Sequence, residues 1–171
     1  TKIAKDIDKS PNCLIAPLIP GMSKTYIYEN ESDYYKMYQK SIFALTYKKA
    51  GWDCMRHYEI LMNGCIPLFL DLEKCPEFIM KSFPKGRINQ LTKKYEFVLK
   101  LENPYKIFIK KFRKKRIFLD YFKNIFLPKI KTDKFLLKNN EIFNEKEELL
   151  SFTKQNLTTE AAAKKILAQI N

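Results

Sequence analysis

Glycine is scarce in this chain. Only Gly21, Gly51, Gly64 and Gly86 occur among 171 residues, and their spacing forms neither G-x-G-x-x-G nor a P-loop, so the usual NAD and ATP fingerprints are excluded. Histidine is scarcer still, with His57 alone. Four cysteines (Cys13, Cys54, Cys65, Cys75) make no C-x-x-C pair, which leaves zinc without a suitable ligand set. No base neighbours them in a nucleophilic arrangement, so they read as reduced, intracellular, small core residues. No apolar run reaches the roughly 18 residues of a bilayer-spanning helix, and no signal peptide is evident. The expected location is cytoplasmic, with at most peripheral contact at a membrane. Acidic residues are also short: 19 against 32 basic ones, a formal net charge of +13. Such a balance points to an anionic partner, whether nucleic acid, anionic lipid or a phosphorylated substrate.

What the chain does contain is one continuous strand, loop, helix and strand between Ser41 and Leu70. Ser41 to Thr46 and Ile66 to Leu70 are short, apolar and β-prone, as buried strands are. Between them Cys54, Tyr58, Leu61, Met62 and Cys65 fall on one side of a helix, and Arg56, Glu59 and Asn63 share a polar face. Asp53 is placed as the N-cap and Gly64 as the stop. Lys48, Lys49, Ala50, Gly51, Trp52 and Asp53 then form the loop that leaves the carboxyl end of a strand and feeds a helix. Ligands bind at that position in open α/β sheets, because free amides and the helix dipole attract anions. Gly51 permits close backbone approach. Two lysines and Arg56 add fixed positive charge, and a diphosphate fits such a corner best.

Along the rest of the chain, residues 1 to 22 read mostly as loop, with a strand near Cys13 to Ala16 and another at Tyr26 to Tyr28. Ser32 to Lys40 reads as an amphipathic helix capped by Ser32. The β–α–β–α–β order predicts a Rossmann-like parallel sheet with flanking helices. Asp71 to Phe83 reads as a loop with a short helical turn, and Ile88 to Leu101 as a helix. Residues 105 to 131 carry ten Lys or Arg against the single acid Asp120, interleaved with Phe108, Phe112, Phe118, Tyr121, Phe122 and Phe126. That pattern suits a helix with one aromatic and one basic face. Glu145 to Gln155 and Thr159 to Ile170 close the chain as helices, the second capped by Thr158 or Thr159. Residues 1–104 are thus the nucleotide-binding core and 105–171 a basic, aromatic, helical C-terminal part packed on the same domain.

The run AGWDCMRHYEILMNGCIPLF, followed by Cys75-Pro76 and later Phe83-Pro84-Lys85, resembles the donor-binding half of GT-B glycosyltransferases, close to the exostosin-like group. In that group a small or glycine-containing loop precedes R-x-x-E and then G-C-x-P, here Arg56, Glu59, Gly64, Cys65 and Pro67. Asn156-Leu157-Thr158-Thr159 is similar to the group's C-terminal pattern. The resemblance implies that the loop holds the pyrophosphate of a nucleotide sugar, with Glu59 on the ribose or donor sugar. It implies a UDP- or GDP-sugar donor and a glycan or lipid-linked acceptor, with no required cofactor or metal. The chain has about half the length of a two-domain enzyme of this kind. It starts at Thr1 and ends in a helical pattern at Asn171, so a fragment or processed chain lacking an N-terminal acceptor domain is expected.

Each residue also has a plainer reading. Arg56 is either the group that stabilises the departing nucleoside diphosphate or one end of an i,i+3 pair with Glu59. His57 is either a site residue or packing beneath one, since no neighbour tunes it as a base. Trp52 either packs over the helix start or stacks on a nucleobase. Residues 105 to 131 either bury their aromatic face in the core or bind a membrane surface or nucleic acid. The expected function is sugar transfer from a nucleotide diphosphate sugar, or donor binding for it. The alternative is a non-enzymatic basic module for nucleic acid or an anionic membrane surface.

Overall fold

In the computed structural model, residues 3–95 and 140–170 are described. Three strands, β1 (Cys13–Ile15), β2 (Ser41–Tyr47) and β3 (Ile66–Leu70), form a parallel sheet in the order β1-β2-β3. Cys13 pairs with Ser41 on one side of β2, and Phe43 to Tyr47 pair in step with Ile66 to Leu70 on the other. The crossovers carry α1 (Glu31–Gln39) and α2 (Met55–Met62), and α3 (Lys85–Lys94) follows β3. Two further helices, α4 (Asn140–Asn156) and α5 (Thr159–Ile170), complete the described residues. The α/β class and the parallel sheet expected from the sequence are both present.

Strand alternation divides the core. Ala44 of β2 faces Met37 and Tyr38 of α1 and Ile60 of α2, whereas Phe43 faces the α3 side, with the Tyr95 ring 5.0 Å away. Helix α4 reaches the amino edge of the sheet. Its Ile142 and Leu149 enter the core, and Lys146, 0% exposed, donates from Nζ to the Ser41 carbonyl at 3.1 Å. Burial pulls the Lys146 pKa down, so its hydrogen bond to Ser41 is needed to offset the desolvation of the ammonium. Glu145 accepts from Lys94 Nζ at 2.8 Å and from the Tyr95 hydroxyl at 2.6 Å, tying α4 to the end of α3. With α4 at the amino edge, the loops at the carboxyl edge are the ones left to build a site.

Several local expectations shift. Tyr26 to Tyr28 is not a strand: a 3-10 turn at Ser23–Thr25 precedes it, and the Thr25 hydroxyl holds that turn by donating to the Met22 carbonyl at 2.8 Å. Helix α1 is capped by Asn30 rather than Ser32, because the Asn30 side chain accepts from the Asp33 amide at 2.9 Å. Cys54, not Asp53, is the N-cap of α2. The buried line of α2 is His57, Ile60 and Leu61, one step round from the face that the cysteine and tyrosine spacing suggested. Cys65 alone of the cysteines is buried; Cys13, Cys54 and Cys75 are half-buried thiols. Helix α3 starts at Lys85 rather than Ile88 and ends at Lys94, with Tyr95 as its C-cap. Residues 96 to 101, the domain boundary at 104/105 and the basic stretch 105 to 131 lie outside the described residues.

The stop of α2 agrees with its sequence signal. Gly64 has φ +63°, Cys65 N–H donates to the Ile60 carbonyl at 3.1 Å and Gly64 N–H to that of Leu61 at 3.0 Å, the bond pair of a left-handed helix terminus. A Cβ at Gly64 would also meet Ile7 Cγ2 at 3.0 Å, so glycine is required there twice over.

Candidate anion-binding corner

Both crossover helices start at the carboxyl edge, where β1 and β2 deliver the chain. Helix α2 begins without help: Cys54 makes no side-chain cap bond and the first turn holds no acid. The leading N–H groups of such a helix have no partner within it, and no side chain of the cap or first turn answers the partial positive charge of its dipole. Lys48, Lys49, Ala50, Gly51 and Asp53 of the preceding loop are exposed. At Gly51 an added Cβ would meet nothing within 4 Å, so the loop's outer side is open. The Lys48 ammonium stands over the Trp52 ring, 5.0 Å from its centroid.

Trp52 itself is half-buried against the core, 6.4 Å from the Phe69 ring. Beneath it lies His57, 1% exposed. Its Nε2 lies 3.0 Å from the Trp52 carbonyl, an acceptor only, so Nε2 carries the hydrogen and donates. Nδ1 then accepts from the Thr46 hydroxyl at 2.9 Å. Burial pulls the His57 pKa down to about 4, against the weaker opposing effects of the Trp52 carbonyl and Asp53. The ring is therefore neutral near pH 7 and braces the end of β2 and the loop from inside. Asp53 turns toward the Tyr58 hydroxyl, whose pKa is raised first by burial and then by that carboxylate.

Arg56 points from the first turn of α2 toward the loop that follows β1. One Nη donates to the Tyr26 hydroxyl, and the guanidinium lies over the Tyr26 ring, 5.3 Å from its centroid. Burial lowers the Arg56 pKa, but the phenol oxygens of Tyr26, Tyr38 and Tyr34 outweigh it and the net shift is upward. Among the described residues no ion pair joins Arg56 to Glu59. Glu59 instead accepts from the Tyr34 hydroxyl at 2.7 Å, and Tyr34 sits edge-on to Tyr38 at 5.2 Å. The Arg56 Nε is buried with no hydrogen-bond partner among the described residues. Leaving such a donor unsatisfied costs about 1–3 kcal/mol.

Lys48, Lys49, Gly51, Trp52 and Asp53 thus share one loop, and Arg56 stands at its end, while His57 supports it from below and Glu59 joins the α1 tyrosines. Sequence reasoning missed Tyr26 and Tyr34 as the partners of Arg56 and Glu59. The run Tyr34, Tyr35 and Tyr38 on α1 carried the signal: phenols at helical spacing bring buried hydroxyls that need polar partners on the facing helix. An open cavity of about 350 Å³ lies at the other end of α2, lined by Lys5, Asp6, Glu147 and Lys154 among others. Its charges are mixed, and Lys9 in its lining already pairs with Glu147 at 3.4 Å. Among the described residues no group of three or more His, Cys, Asp or Glu is placed to hold a metal ion, and no helix is long and apolar enough to cross a membrane. No protein-family model, curated protein or solved structure matches the chain.

Proposed function

We propose that the chain is the donor-binding unit of a glycosyltransferase, one half of a GT-B architecture, acting in the cytoplasm or at its membrane face on a nucleotide diphosphate sugar. One observation carries the reading: the first turn of α2 is uncapped and free of acid at the carboxyl edge of a parallel sheet, with Lys48, Lys49 and Arg56 beside it. The resemblance of Arg56, Glu59, Gly64, Cys65 and Pro67 to the exostosin-like pattern supports it from the sequence side.

The chemistry follows from the charges. As the bond between the sugar and the diphosphate breaks, negative charge gathers on the departing phosphate. Fixed cations and helix amides interact more strongly with that state than with the intact donor, which lowers the barrier by several kcal/mol in comparable sites. Arg56 and the two lysines are assigned that role, and the half-exposed Glu59 region the ribose or donor sugar. The group that activates a glycan or lipid-linked acceptor is assigned to a second domain.

A thermal-shift series with UDP, GDP, CDP, inorganic diphosphate and an oligonucleotide tests the reading, because a ligand that binds only the native state raises its melting temperature. Stabilisation by a nucleoside diphosphate is the expected result. Stabilisation by the oligonucleotide alone would favour a nucleic-acid module, consistent with the net charge of +13.

A further inference from the structure

The loop after β3 is held far more tightly than its exposure requires. Residues 76 to 79 form a turn closed by the Ile79 N–H donating to the Pro76 carbonyl at 3.1 Å. The Lys85 ammonium then donates to three carbonyls of that turn, Pro76 at 3.0 Å, Glu77 at 2.8 Å and Ile79 at 2.7 Å. Lys85 is the first residue of α3, where a cation meets the unfavourable end of the helix dipole. Its three acceptors offset that. Next in the chain, Met80 adopts φ +52° with its side chain 6% exposed in the core. A left-handed, non-glycine residue is disfavoured by the clash of its Cβ with the following carbonyl, and persists where its surroundings over-determine it. All of this fixes a turn whose exposed side chains are Glu77 and Phe78, the latter 80% exposed.

An exposed aromatic ring on a backbone held this firmly suits a stacking partner, since little backbone ordering entropy remains to be lost on binding. The position of the turn says which partner. Tyr58 of α2 lies between the two loops: the Asp53 carboxylate approaches its hydroxyl, and its ring meets that of Phe83 edge-on at 5.7 Å. Phe83 N–H donates to the Met80 carbonyl at 2.9 Å. The Phe78 turn follows β3 at the same carboxyl edge where Lys48 to Asp53 follow the neighbouring β2. We infer that Phe78 is the platform on which the base of the bound nucleoside diphosphate stacks. This rests on the diphosphate reading of the corner and adds the base to it. A bare phenyl face stacks any base and forms no hydrogen bonds to its edge, so this contact favours nucleosides over inorganic diphosphate without choosing among bases.

Calorimetric titration of the full chain with UDP, GDP and inorganic diphosphate separates the two claims. Phe78→Ala should weaken UDP and GDP about tenfold and change inorganic diphosphate less than twofold, with Phe78→Tyr restoring the nucleotides. Because Phe78 is exposed, the melting temperature of the unliganded variant should stay within about 2 °C of the parent. Equal weakening of nucleotides and inorganic diphosphate, or unchanged nucleotide affinity in Phe78→Ala, would overturn the stacking role and leave the phosphate corner standing. A parent chain that binds neither nucleotide nor inorganic diphosphate would overturn both.

Discussion

Helices α1 and α2 start at the same edge of one sheet, yet their first turns are built in opposite ways. At α1, Asn30 caps the Asp33 amide at 2.9 Å and bonds the Asp33 carboxylate at 2.9 Å, with Glu31 and Asp33 in the first turn. The Asn30 and Lys36 side chains hold the Asp33 carboxyl below its ordinary pKa. The dipole of α1 is thus answered from within the chain. At α2 no side chain caps the start, no acid enters the first turn, and Arg56 adds a cation where a helix ordinarily disfavours one. A fold seeking only stability would treat both ends like α1. That difference is the ground on which we propose the α2 start as the end that receives an external anion.

The support beneath that end offers the largest handle. His57 has a folded pKa of about 4 against an ordinary value of 6.5. Between those values the unfolded chain binds the proton and the folded one does not. The contribution is therefore fully present above pH 6.5 and lost as pH falls toward 4, by about 3 kcal/mol. Thermal melts from pH 7 to pH 4 should show that loss, and His57→Gln should flatten it; an identical pH profile in the variant would mean that the ring does not brace the α2 corner.

Arg56→Ala should weaken nucleoside diphosphate binding at least tenfold by calorimetry, while the fold and α1 stay intact. Unchanged affinity would detach the cation from the site. Making α2 resemble α1 sharpens the contrast further: Cys54→Asp supplies a cap and an acid, so stability should rise by about 1 kcal/mol while diphosphate affinity falls about fivefold. The two changes should have opposite signs, and a gain in both would contradict the division of labour. At the smaller end, Asn30→Ala should cost about 1 kcal/mol in denaturant unfolding and leave ligand affinity alone.

Much of this arrangement is legible in residue order, and the limits are physical. Ser41 to Tyr47 and Ile66 to Leu70 announce themselves because buried parallel strands need unbroken apolar runs. Gly64 marks the end of α2 because only glycine suits both its φ and the approach of Ile7. The cap of α2 shows where local rules stop: Asp53 has the right chemistry, but the helix starts one residue later and Asp53 turns to Tyr58. Tyr26 is 30 residues from Arg56, Tyr34 is 25 from Glu59, and Lys85 clamps a turn six to nine residues before it. Periodicity within one element carries no information about such partners; they are set by how α1, α2 and the carboxyl-edge loops pack.

The most direct measurement is amide chemical-shift mapping of the isotope-labelled chain during titration with a nucleoside diphosphate. The largest shifts should fall on amides 48 to 57, at the start of α2, with those of 30 to 33 at the start of α1 nearly still. Shifts centred on the start of α1 or on the α4 end of the sheet, or none at saturating ligand, would contradict the claim that α2 opens onto a diphosphate site.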